Sequence, residues 1–377
     1  MSDERIGVTQ FDDWLKDDSD VAALVVRQWL EPVEGKDAVI FPPTYAKPER
    51  MREEDWTGYN IDRFDDGSSV CQIDSVGSQA NRMEPIFKAD RYAKLVPQIT
   101  ITAGSTQVNL LDAGHRAADA IVRFSDLKAD LNRAFSAYKK GNAEPLAKIA
   151  PTSLIFGAWD SRDTNVKLPR IVRSVIRAHN VRPLHRSAQY VPPVDYVAEG
   201  IVDKPAEAKD QKALSELGLS HAPAPWSFGG VQVLGDIRRE AILNLVTLRA
   251  LKSDAAKSSE KLQRYALGLA LVALTAPQTP ALREGCELVR DPEHPFTLEV
   301  VRADGRREGL QLTSEDAFAF AQRAAEEFGV GASRSVSFNA EEAKGELGKS
   351  GEERKAGRRA ARKKGSAEPQ EGEEGQS

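Results

Sequence analysis

The spacing of apolar residues changes several times along the chain, and each change marks a predicted element. Apolar residues at intervals of three and four predict helices, and short apolar runs rich in β-branched residues predict strands. The predicted helices span residues 11–30, 112–126, 128–140, 237–252, 257–275 and 315–328. The predicted strands span residues 70–73, 99–102, 154–159, 171–181 and 296–302. Because helices and strands do not alternate regularly, we expect an α+β fold rather than repeated βαβ units.

Small and polar residues predict a helix directly after the strand at residues 70–73. Gly77 or Ser78 is expected to cap this helix, and its first turn presents Gln79, Asn81 and Arg82. A helix start with free backbone amides is a favourable place for a phosphate group. An ordinary helix cap followed by a surface arginine explains the same residues, so both interpretations stay open.

Two later helices have predicted ends. Asp236 is expected to cap one of them, which places Arg238 and Arg239 in its first turn. Thr313 is expected to cap the last helix, and Gly329 ends it.

The segment over residues 160–190 has a charge opposite to that of the whole chain. It contains seven Lys and Arg residues and two carboxylates, a local charge of +5, whereas the whole protein has a formal net charge of −5. Such a local reversal suggests a polyanionic partner at this place. The cations are Arg162, Lys167, Arg170, Arg173, Arg177, Arg182 and Arg186, accompanied by His179 and His185.

Two interpretations of this basic segment are open from pattern alone. Arg170, Arg173 and Arg177 have the spacing of one solvated face of an amphipathic helix. Pro169 and the dense β-branched residues favour instead a strand, bulged in places, with its cations on one side.

Length and composition predict a soluble protein with a sizeable core. The chain has 377 residues, 41% of them hydrophobic, which suits one large domain or two intertwined ones. Cys71 and Cys286 lack metal-type spacing and fit a reducing compartment. The first residues contain no apolar signal segment, and the apolar run over residues 265–276 is too short to cross a bilayer. We therefore expect a cytoplasmic protein with no membrane contact.

The domain prediction is a folded unit over residues 1–338 followed by a charged tail. Residues 194–221 are polar and are expected to be an inserted segment, which a turn-rich link over residues 222–230 follows. Residues 339–377 have few large apolar side chains and are expected to be disordered. Seven cations within residues 354–364 suit either non-specific nucleic-acid contact or a solubilising tail.

The chain contains no common catalytic motif. Dinucleotide-binding, phosphate-loop, zinc-protease and paired-cysteine patterns are all missing. His179 and His185 lie near Asp160 and Asp163 in sequence, which permits an acid–base or nuclease site. Histidines that bind phosphate or pack explain the same residues better. We therefore expect no enzyme activity, no metal and no cofactor.

Five short motifs, in order along the chain, resemble a known family. They are SQANRME at residues 78–84, LIFGAWD at 154–160, PRIVRSVIR at 169–177, LHRSAQY at 184–190 and GDIRREA at 235–241. Residues 268–275 and 282–286 continue the likeness. Together these motifs resemble the guide-RNA-binding backbone subunit of type I-U (also called type I-G) CRISPR effector complexes, in the RAMP superfamily.

The resemblance implies an RRM-like (ferredoxin-like) palm with large insertions, including a β-hairpin thumb. Copies of such subunits stack head to tail along the spacer of the CRISPR RNA and leave its bases free to pair with a target DNA strand. The implied partners also include other effector-complex subunits and a recruited helicase-nuclease. The alternative within the superfamily is an endoribonuclease that processes precursor guide RNA through His179 or His185.

The expected RNA-binding residues combine the helix start, the basic segment and the residues after Asp236. The aromatic pairs with which ordinary RRMs stack bases are not visible in the sequence, so contacts to phosphate and ribose are expected instead. The complete set is Ser78, Gln79, Asn81, Arg82, Lys167, Arg170, Arg173, Arg177, His185, Arg186, Ser187, Gln189, Tyr190, Arg238 and Arg239.

Overall fold

A computed structural model describes residues 8–52, 55–277 and 281–349. The strands are β1 Val21–Pro32, β2 Val39–Ile40, β3 Ile61–Arg63, β4 Ser69–Asp74, β5 Ile99–Ala103, β6 Thr106–Asn109, β7 Trp159–Asp160, β8 Val166–Lys167, β9 Val172–His179, β10 Val181–Tyr190, β11 Ala222–Val233, β12 Ile237–Asn244, β13 Ala281–Arg283, β14 Cys286–Arg290, β15 Thr297–Arg302, β16 Arg307–Gly309 and β17 Arg334–Ser337.

The α-helices are α1 Val8–Asp13, α2 Val76–Met83, α3 Ala120–Arg123, α4 Lys128–Lys139, α5 Glu144–Ile149, α6 Pro151–Phe156, α7 Ala208–Glu216, α8 Leu245–Arg249, α9 Ala256–Thr275, α10 Ser314–Phe328 and α11 Ala340–Gly348. Short 3₁₀ turns lie at Glu84–Lys88, Ala93–Leu95, Leu110–Asp112 and Arg116–Ala118. No helix in the described ranges is long and apolar enough to cross a membrane.

The main sheet is antiparallel and has β1 near its centre. Strand β1 pairs with β12 on one side and with β14 and β15 on the other, and β12 continues through β9 and β4 to β3. The chain forms β1, then helices, then β9 and β12, then α9, then β15. These four strands lie in the spatial order β15, β1, β12, β9, which is compatible with the expected RRM-like (ferredoxin-like) palm. The predicted α+β class is confirmed.

Helices cover one face of this sheet and bury the larger core. Leu24, Val172 and Leu243 of the sheet pack in the same apolar cluster as α9 and α10. The two helices approach closely at Gly268, where an added Cβ would lie 2.8 Å from the Cα of Ala321. This close approach fixes α9 and α10 against each other.

Strands β10 and β11 form a long antiparallel pair that we call the ribbon. Its base carries Val181 and Val231, which pack with Ile176, Ala178 and other residues of a second, smaller core. Register shifts interrupt the pairing at two places along β10, as in bulged strands. The segment between the two strands contains the exposed helix α7 and includes the predicted insertion at residues 194–221.

Several predicted elements are confirmed. The strands predicted at residues 70–73, 99–102, 171–181 and 296–302 correspond to β4, β5, β9 and β15. The helices predicted at 128–140, 257–275 and 315–328 correspond to α4, α9 and α10. Thr313 and Asp316 form the reciprocal cap of α10, and Gly329 follows its last turn.

Two predicted helices instead contain a strand as their longest element. Residues 11–30 form a short helix and then β1, because the apolar run that starts at Val21 satisfies strand and helix spacing equally. Residues 237–252 form β12 and the short helix α8. Ile237, Ala241 and Leu245 are all buried, and their spacing of four residues suggested a helix. A strand also places every fourth residue on the same face, and the first two lie on β12.

The predicted buried strand over residues 154–159 is also wrong, because its first half, residues 154–156, is the end of α6. Pro151 begins that helix, and Gly157 ends it with a φ of 77°. All six residues of the helix are buried, so no polar face marks the helical period in the sequence. Complete burial therefore made the helix look like a core strand.

Four further predictions need correction. Residues 112–126 form 3₁₀ turns and the short helix α3 instead of one helix, and the turn-rich link at 222–230 is part of β11. Helix α2 is capped by Ser75, not by Gly77 or Ser78. Asn339 caps α11, so the disorder predicted from that residue does not apply to the start of the tail. The cations of residues 354–364 lie outside the described residues.

Candidate nucleic-acid interface

Strand β9 places alternate residues on opposite faces of the sheet, although Val175, on the same side as the arginines, is also buried. Arg173 and Arg177 lie on the solvent side, whereas Ser174, Ile176 and Ala178 are buried on the core side. Arg173 and Arg177 would share a face on a helix as well, so the deciding observation is that β9 pairs with β12 and β4. The strand interpretation of the basic segment is therefore confirmed for these two residues.

The solvent side of four neighbouring strands brings polar and basic residues into a row. Arg177 of β9 lies opposite Gln72 of β4 and opposite Arg238 of β12. Arg238 in turn lies opposite Trp29 of β1. We call this surface, with Arg27 and Arg173 beside the row, the open face.

Carboxylates next to the row offset part of its positive charge. Glu240 lies 3.4 Å from Arg177 and 4.0 Å from Arg27, and all three side chains are partly exposed. Ion pairs of this exposure contribute little to stability, so a phosphate can replace the carboxylate at small cost. Arg173 has no ion pair or hydrogen bond within the described part of the chain and is exposed. The open face thus has arginines available for a polyanion.

His179 lies at the end of the row, beside Arg238. The Nη2 atom of Arg238 lies 3.0 Å from Nε2 of His179, and its Nε lies 3.1 Å from Asp236. Burial, and next the charge of Arg238, lower the pKa of His179. His179 is therefore neutral at neutral pH and contributes hydrogen bonding rather than charge.

The ribbon carries a second group of predicted residues on β10. Arg186, Ser187, Gln189 and Tyr190 are exposed, and His185 is partly exposed. Arg186 lies opposite Ser227 of β11, whose hydroxyl donates to the Arg186 carbonyl at 3.0 Å. The amide of Gln189 lies 3.3 Å from the ring nitrogen of His221.

Two aromatic residues on β11 belong to this surface and are missing from the sequence-based set. The ring of Trp226 stacks on His185 with centroids 4.1 Å apart, and Trp226 is 53% exposed. Phe228 is opposite His185 and contacts the Tyr59 ring. The alternation of Trp226 and Phe228 is a strand signal, but the prolines at 223 and 225 suggested a turn.

Helix α2 presents its predicted residues in different environments. Ser78 is exposed, and its backbone N–H donates to the capping Ser75 at 3.1 Å. Gln79 is buried, donates to Asp74 at 2.7 Å and accepts from Ser174 at 2.7 Å. Arg82 donates to the same Asp74 at 3.0 Å. The predicted phosphate site at this helix start is therefore already occupied in part by the chain's own groups.

Arg239 is the second predicted binding residue that the fold buries. It points to the core side of β12, where its Nε donates to Ser174 Oγ at 3.1 Å and its Nη1 to Gln28 at 3.4 Å. Burial, and next the charge of Arg290, lower its pKa to about 10, so the guanidinium remains charged at neutral pH. Arg239 and Gln79 do not lie on the open face.

A buried ion pair connects the 3₁₀ turn Glu84–Lys88, which follows α2, to the 3₁₀ turn Arg116–Ala118. Glu84 lies 2.7 Å from Arg116, which also donates to Asn81 at 3.0 Å and to the Gly157 carbonyl at 3.3 Å. Burial raises the pKa of Glu84 to about 7, although Arg116 opposes the shift. Arg116 has a φ of 55°, an unusual conformation for a residue with a side chain. Asn81, although exposed, is thus held by this pair.

Lys167 and Arg170 lie together before β9 but outside the row. Lys167 is opposite Trp159, which is 61% exposed, and the aliphatic stem of Arg170 passes close to Gly157. Both cations are exposed. They extend the basic surface toward α6.

The two aspartates near this surface have structural roles. Asp160 is buried and accepts from the backbone N–H and the hydroxyl of Thr164, at 2.7 and 2.6 Å. Asp163 lies 3.8 Å from Arg123. Within the described ranges, no three His, Cys, Asp or Glu side chains come together in a way that could hold a metal ion.

One comparison with known proteins bears on identity. Residues 24–183 match the model of the family described as CRISPR-associated protein GSU0053. The matched stretch contains most of β1 and all of β4 and β9, and hence most of the open face, but not β12 or most of the ribbon. A search of curated proteins finds no match. Over these residues the chain is similar to a CRISPR-associated family.

Proposed function

We propose that the chain is a non-catalytic backbone subunit of the RAMP superfamily in a type I-U (I-G) CRISPR effector complex. In this role it binds CRISPR RNA, multimerises head to tail along the guide spacer and presents the bases for pairing with target DNA. The observation that carries the proposal is the row in which Arg177 and Arg238 lie opposite each other, beside Arg173, on a sheet face that helices leave open.

A backbone subunit must bind every spacer, and the open face suits this requirement. Arginine forks bind phosphate oxygens without reading a base. Trp29 is the aromatic residue of the row, and its ring stacks against His294 at 5.6 Å. The open face therefore favours contact with the RNA backbone over base stacking.

The ribbon is the proposed thumb. Its exposed Arg186, Gln189 and Tyr190 offer one charge and several neutral hydrogen-bonding groups, a mixture that suits phosphate and ribose hydroxyls. In a head-to-tail stack, the ribbon of one copy would contact the guide bound by its neighbour. The proposed partners are therefore the guide, the target DNA strand, other copies, other effector-complex subunits and a helicase-nuclease, all in the cytoplasm.

Binding to guide RNAs of scrambled spacer sequence tests this proposal. We expect affinities within a few-fold of each other. Affinity should also fall steeply with salt, with a slope of log affinity against log salt concentration of about −0.7 for each phosphate contact. The variant Arg173→Ala/Arg177→Ala/Arg238→Ala should fold but lose stable binding. Arg323→Ala is a matched control, because Arg323 is an exposed arginine of α10, away from the open face. A tenfold preference for one spacer composition would contradict the proposal.

A cleavage assay separates this role from the endoribonuclease alternative. The protein is incubated with repeat RNA in the presence of a chelator, and we expect no cleavage. Metal-free cleavage that disappears in His179→Ala or His185→Ala would overturn the structural role and establish processing of precursor RNA.

A further inference from the structure

A pocket of about 530 Å³ lies inside the curled sheet, between the two apolar cores. Its walls include Leu274 at the end of α9, which belongs to the larger core, and Ile176 and Leu288, which belong to the smaller one. Its volume is within the range of small-molecule sites, roughly 300–1,000 Å³. The junction of the two cores thus leaves a space of ligand size.

The charged residues that line this pocket are all arginines. Arg239, Arg82 and Arg290 face it, and no carboxylate lines it in the described part of the chain. Polar amides from Gln28, Gln79 and Asn81 also contribute to the wall, beside the apolar residues. The chemistry of the pocket is therefore that of a receptor for an anion.

Arg239 is the residue that makes this composition unusual. It is 4% exposed, and its contacts within the described residues are the neutral atoms of Ser174, Gln28 and Met83. A guanidinium has five N–H donors, so these contacts leave some of them unused. A buried charge is normally paired, because its desolvation is costly. We therefore expect an anion bound in the pocket to be the counterion of Arg239.

The other two arginines differ in how far the chain occupies them. Arg82 already contacts Asp74 and donates to the Leu282 carbonyl at 2.8 Å. Arg290 is exposed at the rim, has no carboxylate partner in the described ranges, and lies over the ring of Phe296 at 5.4 Å. Arg239 and Arg290 are therefore the two cations that remain for a ligand.

We propose that this pocket binds the phosphate group of a nucleotide, with Arg239 and Arg290 on the phosphate and the amide and apolar walls around the rest. The amides of Gln28 and Asn81 can hydrogen-bond a base or ribose, and Pro85, Leu282 and Phe296 supply apolar contact. The same chemistry is offered by a free nucleotide and by the phosphorylated end of an RNA. The site is separate from the open face and does not rest on the proposed function.

Calorimetric titration of the full chain with four probes tests the site. The probes are 5′-AMP, adenosine, and a trinucleotide with and without a 5′-phosphate. We expect saturable binding of at least one phosphate-bearing probe, and at least tenfold weaker binding of its phosphate-free counterpart. Binding of 5′-AMP would identify a free-nucleotide site, whereas binding of the phosphorylated trinucleotide alone would identify an RNA-end site.

Two variants connect the binding to this pocket. Arg290→Glu reverses an exposed rim charge and should fold, and we expect it to weaken binding at least tenfold. The control Arg323→Glu makes the same change on α10 and should leave binding unchanged. Arg239→Met should abolish binding. If Arg239→Met does not fold, the affinity of Arg290→Glu is the test of the site. No saturable binding of either phosphate-bearing probe, equal binding of their phosphate-free counterparts, or wild-type affinity in Arg290→Glu would overturn the site. If the pocket binds no phosphate-bearing probe but the chain still binds guide RNA, the pocket proposal is wrong and the proposed function is unaffected.

Discussion

Arg177 and Arg238 lie directly opposite each other on the open face, in the antiparallel pair of β9 and β12. Like charges at such positions are destabilising. Glu240, 3.4 Å from Arg177, and Asp236, 3.1 Å from Arg238, relieve part of the repulsion. The folded chain therefore holds a pair of cations that a bound polyanion would stabilise further.

Replacing Arg177 should separate stability from binding. Arg177→Thr removes the like-charge opposition, so the free energy of unfolding should stay the same or rise by up to about 1 kcal/mol. Guide-RNA binding should weaken by about 1–3 kcal/mol, because a charge-assisted contact is lost. Urea unfolding and RNA titration on the same preparation measure both. Loss of stability together with unchanged RNA binding would assign Arg177 a structural role.

His185 and Arg186 on the ribbon should act as binders. His185→Ala and Arg186→Ala are each expected to weaken guide retention by about 1–3 kcal/mol. His185→Phe keeps a ring on Trp226 and should preserve the stacking, so it isolates the contribution of the imidazole. Co-purification of guide RNA with each variant measures the effect. If all three variants retain the guide like the wild type, the ribbon is not a binding surface.

Ser174 joins two buried polar side chains, and its loss should destabilise the fold. Its hydroxyl accepts from Arg239 and donates to Gln79, so Ser174→Ala leaves both short of a partner. We expect a loss of about 1–3 kcal/mol in the free energy of unfolding. The control Ser335→Ala removes an exposed hydroxyl from β17 and should change stability little. Equal effects of the two variants in urea unfolding would contradict the network.

Glu84 should make a measurable contribution to the pH dependence of stability. Its pKa is raised to about 7 in the folded protein, chiefly by burial, from an ordinary value of 4.5. The folded state therefore binds more protons than the unfolded state between these values, and the contribution of Glu84 to stability falls as pH rises. The unfolding free energy of the wild type minus that of Glu84→Gln should therefore fall from pH 4.5 to pH 7.5. If wild-type stability rises relative to Glu84→Gln over this range, the charge of Arg116 outweighs burial and keeps Glu84 ionised.

Local pattern was sufficient wherever the secondary structure has an unambiguous period and clear ends. Helix α10 was predicted from the cap at Thr313 and the stop at Gly329, and α9 from its apolar length. The β-branched residues of β9 predicted a strand with its cations on one side, and Arg173 and Arg177 lie on one side. Alternation along a strand is a local property, so once a strand is assigned the sequence determines which of its residues share a face.

Tertiary structure alone decided the rest, because neither burial nor strand pairing is local. Neighbouring residues Arg238 and Arg239 were predicted together in a helix, but β12 sends Arg238 to the open face and Arg239 into the core. The row from Gln72 to Trp29 unites residues far apart in sequence, and only the register of four strands creates it. The pocket likewise depends on tertiary structure, because residues of both apolar cores line it together with Arg239. Sequence therefore determined that this segment is basic and favoured a strand, whereas the pairing and packing of the sheet determined which of its arginines face solvent.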